Sequence, residues 1–356
     1  MLSEPLDTKV FASLKGLKGL VLAVSGGPDS LALMLLAAQW RDEGDAPPLH
    51  VATVDHGLRP DSAAEAQKVA EWAQAQNLSH QTLVWTGAKP ARRLQERARE
   101  ARYGLLFAHA QSLGAEAVVT AHHADDQLET LLFRLLRGSG VAGLAAMSPL
   151  QKMPGGLLAR PLLDWPKQAL VDFCHSREQA FFEDPSNLNS AFARTRLRAL
   201  AAPLDEMGFS RVMAARLAGR ARKADEAVDW AAKEIFSRLA VPLASGQKTS
   251  GHEIGPNIHQ TFDLSRLDDA PQAGFERFLS LAIAKVTQAN ADDQVFATKP
   301  PLRLDRLERV AQKLRAAGAK SERFQATLGG CLLMLDAKGR LTLRQEALRQ
   351  RGRSPK

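Results

Sequence analysis

Four short apolar runs alternate with four helix-like stretches over the first 138 residues, and this limits the fold more than any other feature of the chain. Residues 18–24, LHVATVDH (49–56), HQTLVW (80–85) and AEAVVTAHH (115–123) read as strands. SLALMLLAAQWRDEG (30–44), DSAAEAQKVAEWAQAQN (61–77), ARRLQERAREARYGLLFAHAQSLG (91–114) and ADDQLETLLFRLLRG (124–138) read as helices. Strands alternating with helices imply a parallel sheet, because each helical crossover carries the chain back to the end of the sheet where the previous strand began. The expected fold class is therefore α/β: a Rossmann-like, five-stranded-type parallel sheet with helices on both faces. Such sheets bind ligands at the carboxyl ends of their strands.

Residues 141–190 are richer in Pro and Gly and read as loops with one short helix, PKQALVDFCHS (166–176). From 194 to about 240 the chain reads as helical and basic, with ten Lys/Arg against six Asp/Glu, a net of +4. Residues 241–258 read as a linker. Two further helical stretches and a hairpin, CLLMLD-AKG-RLTLRQE (331–346), complete a small α+β unit, and the tail RQRGRSPK reads as disordered. This gives a catalytic domain over 1–200, a basic helical linker over 201–244 and an accessory domain over 245–356.

Bulk properties narrow the class. The net charge of +8 favours a polyanionic partner such as nucleic acid. The two cysteines, Cys174 and Cys331, lie too far apart for a CxxC redox or zinc pair and fit a reducing compartment, so a cytoplasmic protein is expected. The N-terminus lacks a signal-peptide pattern, and no apolar stretch approaches the roughly 20 residues that span a bilayer.

The first strand runs into Ser25-Gly26-Gly27-Pro28-Asp29-Ser30 and then a helix. Glycines let backbone N–H groups approach an anion, and the helix N-terminus adds about half a positive charge. Ser25 and Ser30 offer hydroxyls, and Pro28 suits an early helical position. The loop lacks the lysine of the common nucleotide loop G-x-x-x-x-G-K-[ST] and carries Asp29 instead. After the second strand come Asp55 and His56. After the fourth comes AHHADDQLET (121–130), where helical spacing would stack His122, Asp126 and Glu129, or Asp125 and Glu129, on one face. Neighbouring acids need a cation or a shared proton, and this set suits Mg2+ better than Zn2+.

The loop resembles the signature of the pyrophosphatase-type ATP-using superfamily. LLRGSGVAGL (135–144), ARPLLDWPKQAL (159–170), FFEDPSN (181–187) and FARTRLRAL (192–200) follow in that order. Together with SGGPDS, VDHGLR, AREARY (98–103) and AHHADDQLET they resemble the tRNA(Ile)-lysidine synthetases, strongly over residues 18–200 and more weakly over TLGGCLLMLDAKGRLTLRQE (327–346).

The resemblance implies that ATP adenylates the C2 carbonyl oxygen of cytidine 34 in the CAU anticodon of tRNA(Ile), releasing pyrophosphate. Free L-lysine then attacks C2 and expels AMP. It implies ATP contacts from Ser25, Gly26, Gly27, Pro28, Asp29 and Ser30, with Asp55 and His56 beside the adenosine. Asp29 and Asp126 are the expected Mg2+ ligands, and Asp29, Asp126 and Glu129 the expected catalytic carboxylates. Asp126, Glu129 or Asp184 could take the lysine proton. Arg99 and Arg102 are expected to face nucleotide or tRNA. Arg194, Arg196 and Arg198 are expected to contact tRNA; a helix would put 194 and 198 on one face, and a strand would align all three. No membrane is expected as a partner, and a homodimer stays open. The rival readings are an ATP-dependent tRNA thiolase and a tRNA-binding protein without catalysis.

Overall fold

The computed structural model describes residues 6–87, 89–90, 93–183, 193–241, 259–267, 269–288 and 302–346. The chain divides into two compact units, Met1–Ala221 and Arg222–Lys356.

The first unit is built on a six-stranded sheet: β1 (Leu20–Ala23), β2 (Leu49–Asp55), β3 (Ser79–Val84), β4 (Ala117–Val119), β5 (Leu150–Met153) and β6 (Gly156–Ala159), in the order β3-β2-β1-β4-β6-β5. Five strands are parallel, with Leu22 opposite both Val51 and Val119. The sixth, β5, is an antiparallel edge. β1 reads as a continuous apolar run because helices cover both faces. Helices α1 (Pro28–Asp42), α2 (Ser62–Ala75), α3 (Leu94–Ser112), α4 (Ala124–Leu135), α5 (Val141–Leu144) and α6 (Lys167–Ser176) follow in chain order. On one face Leu20, Leu22, Val51, Val119 and Ala159 pack with Leu31, Met34, Val69, Leu170 and Cys174.

The strand order reverses at β1. The chain runs outward from β1 to β2 and β3, then crosses to β4 on the other side. The carboxyl ends of β1 and β4 are thus the switch point of the sheet, where a crevice opens. Helices α7 (Ala193–Ala199) and α8 (Ala201–Glu206) come next, then α9 (Arg211–Leu239), within which the division between the units falls. Leu197, Ala214 and Ala218 pack on Leu128, Leu131 and Leu132 of α4.

The β5–β6 hairpin lies in the stretch read as loops. Each strand has only four residues, and the turn between them, Pro154 with Gly155 at φ +99°, supplied the Pro/Gly signal instead. β4 also ends at Val119, four residues before the apolar pattern does.

The second unit holds β7 (His259–Asp263), α10 (Gln272–Gln288), α11 (Leu304–Ala319), β8 (Phe324–Leu328), β9 (Cys331–Leu335) and β10 (Arg340–Gln345). Its antiparallel sheet has the order β7-β10-β9-β8. Cys331, Leu333 and Leu335 alternate inward on β9, as Leu341 and Leu343 do on β10, against Phe275, Phe278, Leu307 and Leu314 of the helices. The expected linker, from residue 242 on, and the expected disordered tail lie outside the described residues.

Candidate active site

The loop after β1 is knitted by its own side chains. Ser25 N–H donates to Ser30 Oγ (3.1 Å), and Ser30 Oγ–H donates to Gly27 O (2.9 Å). Ser30 is buried and spent on the loop, while Ser25 is exposed. Gly26 sits at φ +87°, in the left-handed region that favours glycine. A Cβ there would fall 2.5 Å from the ring of Phe182, whose N–H donates to Gly26 O (2.9 Å). Cys174, on α6, packs beneath the loop and donates from Sγ to Pro28 O (3.3 Å). Burial, with Asp29 nearby, pushes its thiol up to about 11.

Asp29 stands in the first turn of α1, where a helix N-terminus favours an acid. Its Oδ2 lies 3.6 Å from His123 Nε2 and 4.0 Å from Lys167 Nζ. Its Oδ1 is buried and makes no hydrogen bond. Asp126 reaches the same imidazole, with Oδ2 at 3.4 Å from His123 Nε2, and also accepts from His123 N–H (3.1 Å), capping its own helix. Asp29 and Asp126, expected to act together, therefore converge on one buried histidine. Burial opposes charge on His123, but Asp29, Asp126 and Asp125 outweigh it and raise its pKa.

Two further carboxylates are held by arginines. Asp125 accepts from Lys167 N–H (2.8 Å) and from Arg211 Nε (2.6 Å). Burial raises its pKa, but these partners outweigh it and the net shift is downward. Glu129, only 5% exposed, accepts from Arg198 Nε (2.8 Å). The fit to Mg2+ rests on Asp29 and Asp126: one carboxyl oxygen is buried without a partner, and Mg2+ takes one or two carboxylates alongside water and phosphate. Among the described residues no three His, Cys, Asp or Glu side chains are disposed to hold a metal ion by themselves.

A cavity of about 550 Å³ opens beside the loop, lined in part by Ser25, Asp29, Asp55, His56, Arg102 and His122. Asp55 ends β2 and accepts from Gly57 N–H (2.8 Å), which fixes the turn; Ser62 and Gly57 hold its pKa below the usual range. His56 packs edge-on to Trp85, and burial, then Arg102, lowers its pKa. Arg99 and Arg102 flank the Tyr103 ring at 5.1 and 5.3 Å. Of the two, Arg102 lines the cavity.

Three expectations change. His122 is not on the helix with Asp126 and Glu129, because α4 starts at Ala124. It sits in the extended loop after β4, bonded to Thr120 Oγ1 (2.8 Å), and its neighbour His123 meets the acids. Burial, Arg160, Arg99 and Arg102 drive the His122 pKa down to about 2. Glu129 faces Arg198 rather than a second carboxylate. Residues 194–198 form a helix, so Arg196 is turned away from Arg198; it is exposed. The side chain of Arg194, and Asp184 altogether, lie outside the described residues. His123, Lys167 and Arg211 escaped sequence reading. The paired histidines were the one local signal, while the other two reach the site only through tertiary packing.

A family model described as the PP-loop domain matches residues 4–204. The chain is 44% identical to a tRNA(Ile)-lysidine synthase of Methylobacterium nodulans over 98% of this chain and 99% of that protein. It is 44% identical to one from a Bradyrhizobium species, covering 92% of this chain and 90% of that one. Among solved structures, the U34-tRNA thiolase NcsA from Methanococcus maripaludis, with its [4Fe-4S] cluster, aligns with a TM-score of 0.52 at 15% identity. That alignment covers 60% of this chain and 76% of the thiolase, and at this identity it speaks for the shared fold alone.

Proposed function

This chain belongs to the tRNA(Ile)-lysidine synthases of the PP-loop family, and from that premise we propose how its residues divide the reaction. The enzyme is an ATP-dependent ligase that forms a C–N bond between lysine and C2 of cytidine 34 in tRNA(Ile) with a CAU anticodon. The observation that carries the reading is the meeting of Asp29, from the loop after β1, with Asp126, from the helix after β4, at the switch point of the sheet.

In the first step the C2 oxygen of the cytosine attacks the α-phosphorus, and pyrophosphate leaves. The backbone N–H groups of residues 25–30 and the start of α1 would hold the leaving phosphates, with the adenosine in the cavity beside Asp55 and His56. Asp29 and Asp126 would hold Mg2+, which when bound supplies positive charge to the triphosphate. In the second step the neutral ε-amine of lysine attacks C2, and the C2 oxygen departs with AMP. The amine proton must be taken up; Glu129 is paired with Arg198, which leaves Asp126, through the oxygen that does not accept from His123 N–H, or Asp184 as the acceptor. Net, ATP, lysine and cytidine 34 become AMP, pyrophosphate and the lysine-substituted base, with the amine proton released.

We assign catalysis to residues 1–200, a basic helical linker to 201–244 and tRNA contacts to 245–356, with Arg102, Arg194 and Arg196 facing nucleotide or tRNA. The cytoplasm is the compartment that fits a tRNA substrate; no helix among the described residues is long and apolar enough to cross a membrane. The thiolase reading is weaker. The chain has two cysteines, fewer than a cysteine-held cluster needs, and both are fully buried, which does not suit a catalytic thiol.

The test is incorporation of labelled lysine into unmodified tRNA(Ile) with ATP and Mg2+, against an initiator tRNA with the same anticodon. Labelling of tRNA(Ile) alone is expected. ATP cleavage to AMP and pyrophosphate without labelling would reopen the second substrate, and no cleavage would favour a binding protein.

A further inference from the structure

The phosphate loop carries no lysine, yet the fold brings one to it. Lys167 is the first residue of α6, and its Nζ lies 4.0 Å from Asp29 Oδ2. Its main chain is fixed, because Lys167 N–H donates to Asp125 Oδ2 (2.8 Å). Its side chain, about a third exposed at 35%, has room to swing. Two neighbouring cations are already engaged, Arg198 by Glu129 at 2.8 Å and Arg211 by Asp125 at 2.6 Å. At 4.0 Å the Lys167–Asp29 pair is longer than a hydrogen bond and partly exposed to solvent, so it holds the lysine weakly.

Three helices begin at this place. Asp29 is in the first turn of α1, Asp125 and Asp126 in that of α4, and Lys167 opens α6. Ala124 N–H donates to Trp165 O (2.8 Å), which ties the starts of α4 and α6 together. Each helix start contributes about half a positive charge, and the acids that now balance them are the same groups a bound cation would occupy.

We propose that Lys167 is a catalytic cation of this site: it leaves Asp29 and hydrogen-bonds the pyrophosphate as the bond to the α-phosphorus breaks. In common nucleotide loops a lysine within the motif cradles the terminal phosphates. Here the same charge arrives from a helix far along the chain, after β6, and Asp29 keeps it at hand until the nucleotide binds. The proposal rests on the adenylating function above. No covalent bond to Lys167 forms or breaks; its ammonium offsets the charge of the leaving group.

The experiment is equilibrium titration of inorganic pyrophosphate, and separately of AMP, into the full chain in magnesium buffer. It compares wild type with Lys167→Met and Lys167→Arg. Loss of a charged hydrogen bond should weaken pyrophosphate binding by about tenfold or more in Lys167→Met. AMP binding should stay unchanged, and Lys167→Arg should recover most of the loss. Steady-state AMP release should fall in kcat, with KM for lysine unaltered. Unchanged pyrophosphate affinity in Lys167→Met overturns the proposal. So does a parallel loss of pyrophosphate and AMP affinity, the mark of a lysine that only props up Asp29, and so does a wild-type chain that binds no pyrophosphate. Wild-type pyrophosphate binding without lysine incorporation into tRNA would instead sink the lysine-ligation reading and leave the Lys167 result to stand on the binding data.

Discussion

Arg198 donates its Nε–H to Glu129 Oε1 over 2.8 Å, which joins the helix after β4 to the basic helical stretch that follows residue 193. The carboxylate is buried, whereas the arginine side chain is 40% exposed. Arg198→Ala should therefore act first on stability. Removing one partner of a fully buried pair costs several kcal/mol, and exposure of the arginine reduces this to about 1–2 kcal/mol. Urea unfolding should show it, with part of the loss recovered when Glu129→Gln is added. An unchanged midpoint would mean the pair contributes nothing.

Arg196 should behave in the opposite way. It is exposed and turned away from Arg198 on α7. Arg196→Ala should leave stability alone, weaken tRNA binding, and lower the slope of log affinity against log salt by about one. Arg194→Ala is expected to move the salt slope in the same direction. Identical slopes in wild type and both variants would remove α7 from the tRNA interface.

Gly26→Ala should damage both fold and site. The residue would be forced to φ +87°, with its Cβ 2.5 Å from Phe182 Cδ2 and 3.1 Å from Val69 Cγ2. Left-handed strain and overpacking each cost about 1–3 kcal/mol. The expected result is a lower unfolding midpoint and weaker ATP binding, with Phe182→Ala relieving the clash but not the strain. Wild-type ATP affinity in Gly26→Ala would show that the loop adapts.

Asp29→Ala should abolish release of AMP and pyrophosphate while the circular dichroism spectrum and unfolding midpoint stay near wild type. Near-normal ATP turnover in this variant would sink the role given to Asp29.

His122 sets a pH dependence. Its pKa falls from the usual value near 6.5 to about 2 in the folded chain. Below pH 6.5 the unfolded chain binds a proton that the folded chain refuses, so stability is lost as pH falls through that window. At pH 5 the cost is about 2 kcal/mol, at 1.36 kcal/mol per pKa unit. Chemical unfolding between pH 7.5 and 5 should show this decline in wild type and a flatter line in His122→Asn. Parallel lines would show that the histidine accepts its proton in place.

The parts legible in the sequence were those that are local. The alternation up to residue 138 placed β1 to β4 and α1 to α4, and SGGPDS and AHHADDQLET fell on either side of the switch point because each follows a central strand. Local rules failed where an element was too short to show a period, as in the β5–β6 hairpin. They failed again where a boundary moved by a few residues: β4 stops at Val119, and so the imidazole that meets Asp29 belongs to His123 rather than His122. Lys167 and Arg211 carried no local mark, since what brings them to Asp29 and Asp125 is the packing of α6 and α9.

The two thiols have a practical consequence. Cys174 and Cys331 are both fully buried, and Cys174 holds its proton far above neutral pH. Maleimide chemistry needs an accessible thiolate, so the native chain should be nearly silent to it. A single cysteine placed at an exposed site such as Met207, 82% accessible, would then carry a dye or spin probe without first stripping the native sulfurs. The turn between α8 and α9 could in this way be followed by spectroscopy as tRNA arrives, in an otherwise unaltered protein.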